Sequence, residues 1–177
     1  MQKIKRGELR MGLDMYLFSL PKIEGMEYDE IQSANARLRQ LEEAQNETYE
    51  KVKPHIKHFE EFGMSWDSLM EEIAYWRKAN QIHHWFVENI RNGEDDPCFT
   101  EIVTKNHLQD LYNLCLKVFT NRNNPQDSLP TRPGSYFGRY GYDDFYYWQI
   151  EDTKSLLENL LDNFNFETHY LLYQCSW

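Results

Sequence analysis

Cysteine is scarce in this chain. Three occur in 177 residues, at Cys98, Cys115 and Cys175, with no CxxC pair and no zinc spacing. A disulfide framework and a structural zinc site are therefore not expected, and a reducing, cytoplasmic compartment fits. No apolar run approaches the length of a membrane span. The Lys- and Arg-bearing N-terminus is not followed by an apolar segment with a small-residue cleavage site, so secretion is not expected either. Positive charge is also short: 19 Lys and Arg stand against 29 Asp and Glu, a formal net charge of −10. That balance disfavours unaided binding to a phosphate backbone, and suits a basic protein partner or plain solubility. GxSxG, a P-loop, GxGxxG, HExxH and an EF-hand loop are all missing. No catalytic residue, metal or cofactor is assigned, and the sequence names no reaction.

Aromatic residues are plentiful at 15%, with twelve Tyr and five Trp, and the length allows one domain with a proper core. "MGLDMYLF" alternates, placing Leu13, Met15 and Leu17 on one side of a strand and Asp14, Tyr16 and Phe18 on the other. Residues 28 to 50 carry a thin stripe of Ile31, Ala34, Leu38 and Leu41 among charges. This predicts a long, mostly solvated helix ending near Pro54, with a short helix, "HIKHFEEF", behind it and stopping at Gly63. From Ser65 to Asn92 apolar residues fall on two faces of one helical wheel, which predicts a central helix. "FTEIV" reads as a short strand, Thr104 as the cap of an amphipathic helix, and residues 121 to 141 as a long loop. Asp143 or Asp144 caps a last helix, and "FETHYLLYQCSW" is β-prone. The expected architecture is α+β: a mostly helical single domain with a small antiparallel sheet formed by the N- and C-terminal strands. A helical bundle with a minor β-ribbon is the alternative.

Two surfaces are candidates for function. Arg77, Asn80 and His84 share one arc of the expected central helix, and the Gly- and Tyr-rich loop offers Arg139, Tyr142 and Asp144. Together with Asp14 they define a candidate pocket; otherwise Asn80 bonds a buried loop carbonyl and the histidines line the polar margin. The loop, with Arg132 and Arg139, either cradles an anion or packs its aromatic residues on the core. Asp14 either faces water or, if buried, has a partner among Arg77, His169 and Tyr173. His83 and His84 are adjacent, so they point about 100° apart on a helix and do not readily share an ion. "GEDD" then reads as a solvated turn. The second candidate is the charged helical arm at about 28–62, a partner-binding surface through Arg37, Glu42, Glu43, Glu47, Glu50, Glu60 and Glu61, or else an ordinary solvated layer.

"MGLDMYL", "EIAYWRKANQIHHWFV", "GEDD", "LPT" before "G..FG...YDD.Y", and the terminal "SW" resemble a family of small bacteriophage and prophage proteins without a settled function. The anchors cover residues 11 to 20 and 71 to 177, and carry no catalytic residues. The resemblance implies a phage-encoded accessory protein acting in the bacterial cytoplasm by binding a host or phage protein. An antagonist of a defence nuclease, of anti-CRISPR type, is one concrete form. A small ligand-binding protein or enzyme and a virion assembly protein are the other readings. "KRGELRM" is encodable by a purine-rich run just before an ATG, resembling a ribosome-binding site. Met11 is therefore read as a start, and residues 1–10 as a translated leader.

Overall fold

The computed structural model describes residues 12–97 and 100–177; the leader assigned to residues 1–10, and Cys98, lie outside the described residues. Met15 and Leu17 point one way along β1 (Asp14–Pro21), Leu13 just precedes the strand, and all three are fully buried. They alternate as the sequence pattern requires. β1 is a central strand. It pairs antiparallel with β6 (His169–Ser176) on one side, Met15 opposite Cys175, and with β4 (Glu71–Arg77) on the other. β5 (Thr100–Val103) completes a four-stranded sheet in the order β4-β1-β6-β5. The terminal strands thus pair as expected, in an α+β domain.

One face of this sheet packs on α4 (Asn80–Asn89), α5 (Lys105–Thr120) and α6 (Asp144–Asn163). Thr104 caps α5, its side chain accepting from the backbone of His107, and Asp143 caps α6, accepting from Phe145 and Tyr146. Leu108, Leu111 and Cys115 of α5, and Ile150 and Leu157 of α6, lie in this core. Burial pushes the Cys115 thiol up to about 12.

Three sequence-based expectations are corrected. The long helix over residues 28 to 50 is three short ones: α1 (Tyr28–Ala36), α2 (Leu38–Ala44) and α3 (Glu47–Val52). Gln45 takes a left-handed conformation, φ 47°, and Asn46 caps α3 by accepting from Tyr49. Breaking the helix lets the thin stripe wrap a second core. There Ile31, Ala34, Leu38 and Leu41 meet Leu20 and Leu172 from the sheet's other face. "HIKHFEEF" is not a helix but leads into β2 (Lys57–Glu61), which turns at Phe62-Gly63 into β3 (Met64–Ser68). The expected central helix from Ser65 to Asn92 divides into β3, β4 and α4. Its first half holds good helix formers, but β3 pairs with β2 and β4 with the open edge of β1, and tertiary context overrides propensity.

Leu17→Ala should lower stability by about 2 to 5 kcal/mol, as expected for an enclosed core leucine. Glu42→Ala, on the exposed side of α2, should stay within about 0.5 kcal/mol. Urea unfolding of the two variants checks both.

Candidate functional site

The junction between β4 and α4 is where the chain gathers its polar residues. Lys78 adopts a positive φ of 56°, breaking the strand, and its N–H donates to the carbonyl of Leu13 at 2.7 Å. Gly138 lies against this turn: a Cβ there would stand 2.9 Å from Lys78 Cβ and 3.1 Å from its carbonyl oxygen. Only glycine permits so close an approach at a φ of 100°. The loop over residues 129–142 is docked in this way on the start of α4.

Asn80 completes the docking. It is fully buried and bonds the loop backbone three times. Its amide donates to the carbonyls of Phe137 at 3.1 Å and Arg139 at 2.8 Å, and its oxygen accepts from the N–H of Arg132 at 3.1 Å. His84 donates to the carbonyl of Pro130 at 3.2 Å, and Tyr142 Oη accepts from the N–H of Thr131 at 3.4 Å. The candidate-pocket residues Asn80, His84, Arg139 and Tyr142 therefore meet across a packed joint between helix and loop. The loop's Phe137 is buried, while Tyr136 and Tyr140 remain exposed. Asp144 is exposed in the first turn of α6, beside the capping Asp143.

Asp14 and Arg77 form a separate pair on the sheet. They stand opposite each other in the β1–β4 register, with Arg77 Nη1 at 2.9 and 3.2 Å from the two carboxylate oxygens. Tyr75 Oη also donates to Asp14. Burial, with Asp14 second, pushes Tyr75 up to about 12. The Asp14 side chain is only 14% exposed, which excludes the solvent-facing alternative. Of the three partners considered for it, Arg77 is the one used, from a strand and not from a helix.

The most enclosed polar cluster lies around His83. Nδ1 is 2.7 Å from Tyr173 Oη and Nε2 is 3.0 Å from Asp95 Oδ1. A carboxylate only accepts, so Nε2 carries the proton and Nδ1 accepts from Tyr173. Asp95 is held in turn by Arg132 Nε at 2.8 Å, and Arg132 also reaches Glu88 at 3.1 Å. Phe137 and Trp177 pack edge-on against the imidazole, at 5.3 and 5.5 Å between centroids. Burial pushes His83 down to about 4, against the opposing pull of Asp95. The same enclosure raises the Tyr173 hydroxyl well above its ordinary value. Sequence reasoning placed Asp95 in a solvated turn, and Arg132 in a loop that either cradles an anion or packs on the core. Nothing local in the sequence signals that these two meet His83. Among the described residues, no group of three or more His, Cys, Asp and Glu is arranged to hold a metal ion.

The arm residues have a different setting. Arg37, Glu42, Glu43, Glu47 and Glu50 are exposed on α1–α3 and their junctions. Glu43, Glu47 and Glu50 pair along the chain with Arg39, Lys51 and Lys53 at 3.4, 3.2 and 3.9 Å. Such exposed pairs add little stability. Glu60 and Glu61 belong to β2. No helix among the described residues is long and apolar enough to cross a membrane. No protein family, curated protein or solved structure matches the chain.

Two predictions follow from this geometry. Asn80→Ala removes the partner of the buried Phe137 carbonyl and of the part-buried Arg139 carbonyl and Arg132 N–H, and should cost at least about 2 kcal/mol in urea unfolding. His83 binds its proton near pH 6.5 when unfolded but only near pH 4 when folded. Stability should be greatest above pH 6.5 and fall by about 1.4 kcal/mol per pH unit between these values, because only the unfolded chain takes up the proton there. His83→Gln, although less stable, should show a shallower slope over that window.

Proposed function

We propose that this chain is a bacteriophage-encoded accessory protein that acts by binding another protein, and that the partner is basic, a nucleic-acid-binding defence nuclease being the concrete class. The observation that carries the reading is an aromatic platform at the head of α6. Phe145 and Trp148 stack at 5.7 Å on the outer side of the helix, and Arg139 lies 5.9 Å over the Phe145 ring. Trp148 is 59% exposed and Tyr136 58%, and Tyr140, in the same loop as Tyr136, is also exposed. Rigid aromatic side chains next to an arginine are the residue types that dominate binding energy in protein interfaces. Exposed Asp144, Glu151 and Asp152 flank the platform along α6, and they match a basic partner in charge.

The enclosure of the titratable groups supports binding over catalysis. His83, Asp95 and Tyr173 are bonded to one another, and the Asn80 amide is engaged by loop carbonyls. The acidic helices α1–α3, with Glu42, Glu43, Glu47 and Glu50, extend the same charge over another part of the surface.

The test is capture of host proteins by the immobilised chain, followed by direct binding of the purified partner. Phe145→Ala with Trp148→Ala should weaken that binding at least tenfold while the far-UV circular dichroism stays unchanged. Equal binding by the platform variant and by a variant reversing Glu42, Glu43, Glu47 and Glu50 would overturn the reading.

A further inference from the structure

The hairpin β2–β3 is a two-stranded sheet of its own, in which β2 pairs with β3 alone among the described residues. Its turn, Phe62-Gly63, has φ 52° and 75°, the type I′ geometry of a two-residue hairpin loop. Phenylalanine is a poor residue for that conformation. Yet its ring is 60% exposed, and Met64 beside it 65%, so the hairpin itself makes little use of either. Isolated hairpins are marginal in water, and an unpaired strand edge is a template for another strand.

The sequence of β2 is Lys57-His58-Phe59-Glu60-Glu61. Read antiparallel against itself, it places Lys57 opposite Glu61, His58 opposite Glu60, and Phe59 opposite Phe59. Within its own hairpin the charges are not matched in this way: Glu60 faces Ser65 and Glu61 faces Met64. Lys57 instead bonds Glu71, and His58 bonds Asp67 at 2.6 Å. The acidic end of β2 therefore has no cation across from it.

Backbone geometry selects the same register. A two-residue turn closes on Glu61 and Met64 as a hydrogen-bonded pair, so bonded pairs recur at Phe59–Trp66 and Lys57–Ser68. The N–H and C=O groups of His58 and Glu60 then point to the open edge. Placing His58 opposite Glu60 of another copy lets those groups exchange bonds on both sides of Phe59. The two neighbouring registers of the same parity put His58 against His58 or Glu60 against Glu60, and lose the charge match.

We propose that β2 is a self-pairing edge, through which two copies of this chain join as a two-fold symmetric dimer with a continuous four-stranded sheet, β3-β2-β2-β3. Phe59 already stacks on Trp66 at 5.5 Å and 16°. Pairing extends this into a strip of four rings on one face. It also brings the exposed Phe62 of each copy towards Ile56 at the base of the other hairpin. The interface is isologous, so it closes at two copies and does not propagate. It uses a surface separate from the α6 platform and stands or falls independently of the partner proposed above.

Light scattering across micromolar to millimolar concentrations should show the full chain approaching twice its 21.5 kDa mass. Glu60→Lys with Glu61→Lys should raise the dimer dissociation constant at least tenfold, and so should Lys57→Glu with His58→Glu. The two variants mixed in equal amounts restore every charge match and should form a heterodimer. Because the second variant also loses the bonds to Glu71 and Asp67, a further variant reports on the edge in the native charge setting. Phe59→Cys, in a Cys98→Ser background, should be trapped by mild oxidation as a disulfide-linked dimer, while Ser65→Cys on β3 should not. A wild-type chain that stays monomeric throughout, or dimers indifferent to both charge swaps, would overturn the proposal.

Discussion

His83 is enclosed on every side, yet both of its ring nitrogens are bonded, and much of the molecule is organised by that requirement. A buried imidazole with an unsatisfied nitrogen would be costly. Satisfying both needs a donor from β6, Tyr173, and an acceptor from the segment after α4, Asp95. Asp95 then needs its own cation, which Arg132 brings from the long loop. One side chain thus ties the C-terminal strand, the segment after α4 and the 129–142 loop to a single point. Trp177 and Phe137 close over it. Burial favours the neutral imidazole of His83, so its enclosure is expected to weaken the fold on the acid side.

The sheet is what makes such a convergence possible. β1 runs between β4 and β6, so the two ends of the described chain and its middle lie side by side. Its alternation feeds two cores at once. Met15 and Leu17 enter the core under α4–α6, while Leu20 joins the core under α1–α3. Asp14 belongs to neither core. Its partly buried carboxylate is tolerated because Arg77 and Tyr75 lie beside it on β4, where the antiparallel register places them.

The bonded polar groups around Asn80 and His83 are therefore enclosed, and several aromatic residues are left at the surface. Of the groups that resembled a pocket in one dimension, Asn80 and His84 hold the loop to the helix and Tyr142 braces the loop. What remains on the surface is acidic charge, the Phe145–Trp148 platform and a hairpin whose apolar tip is exposed. These are the features on which the proposed protein binding rests. The platform and the hairpin edge differ in kind: one offers side chains to a foreign surface, the other offers backbone and a self-complementary charge pattern.

Much of the architecture was legible in the amino-acid order. Alternation identified β1 and β propensity the C-terminal strand, Thr104 and the Asp143-Asp144 pair marked helix starts, and the Asn-, Pro- and Gly-rich stretch marked the loop. These are signals that a few consecutive residues carry by themselves, through side-chain period and capping hydrogen bonds. Residues 57–77 were illegible for the opposite reason. "EEIAYWR" satisfies a helical wheel nearly as well as a strand, and only the availability of the β1 edge decides between them. The break at Lys78 carries no Gly or Pro to announce it, because Leu13 and Gly138 impose it from other parts of the chain. The candidate site divides along the same line. Sequence alone determined that Asn80, on an apolar arc, needs hydrogen-bond partners, while it read Asp95 as part of a solvated turn and left the role of Arg132 open. The tertiary structure decided the partners of all three and brought Asp95 and Arg132 to His83, since hydrogen-bond satisfaction in a buried space depends on groups brought together from distant positions in the chain.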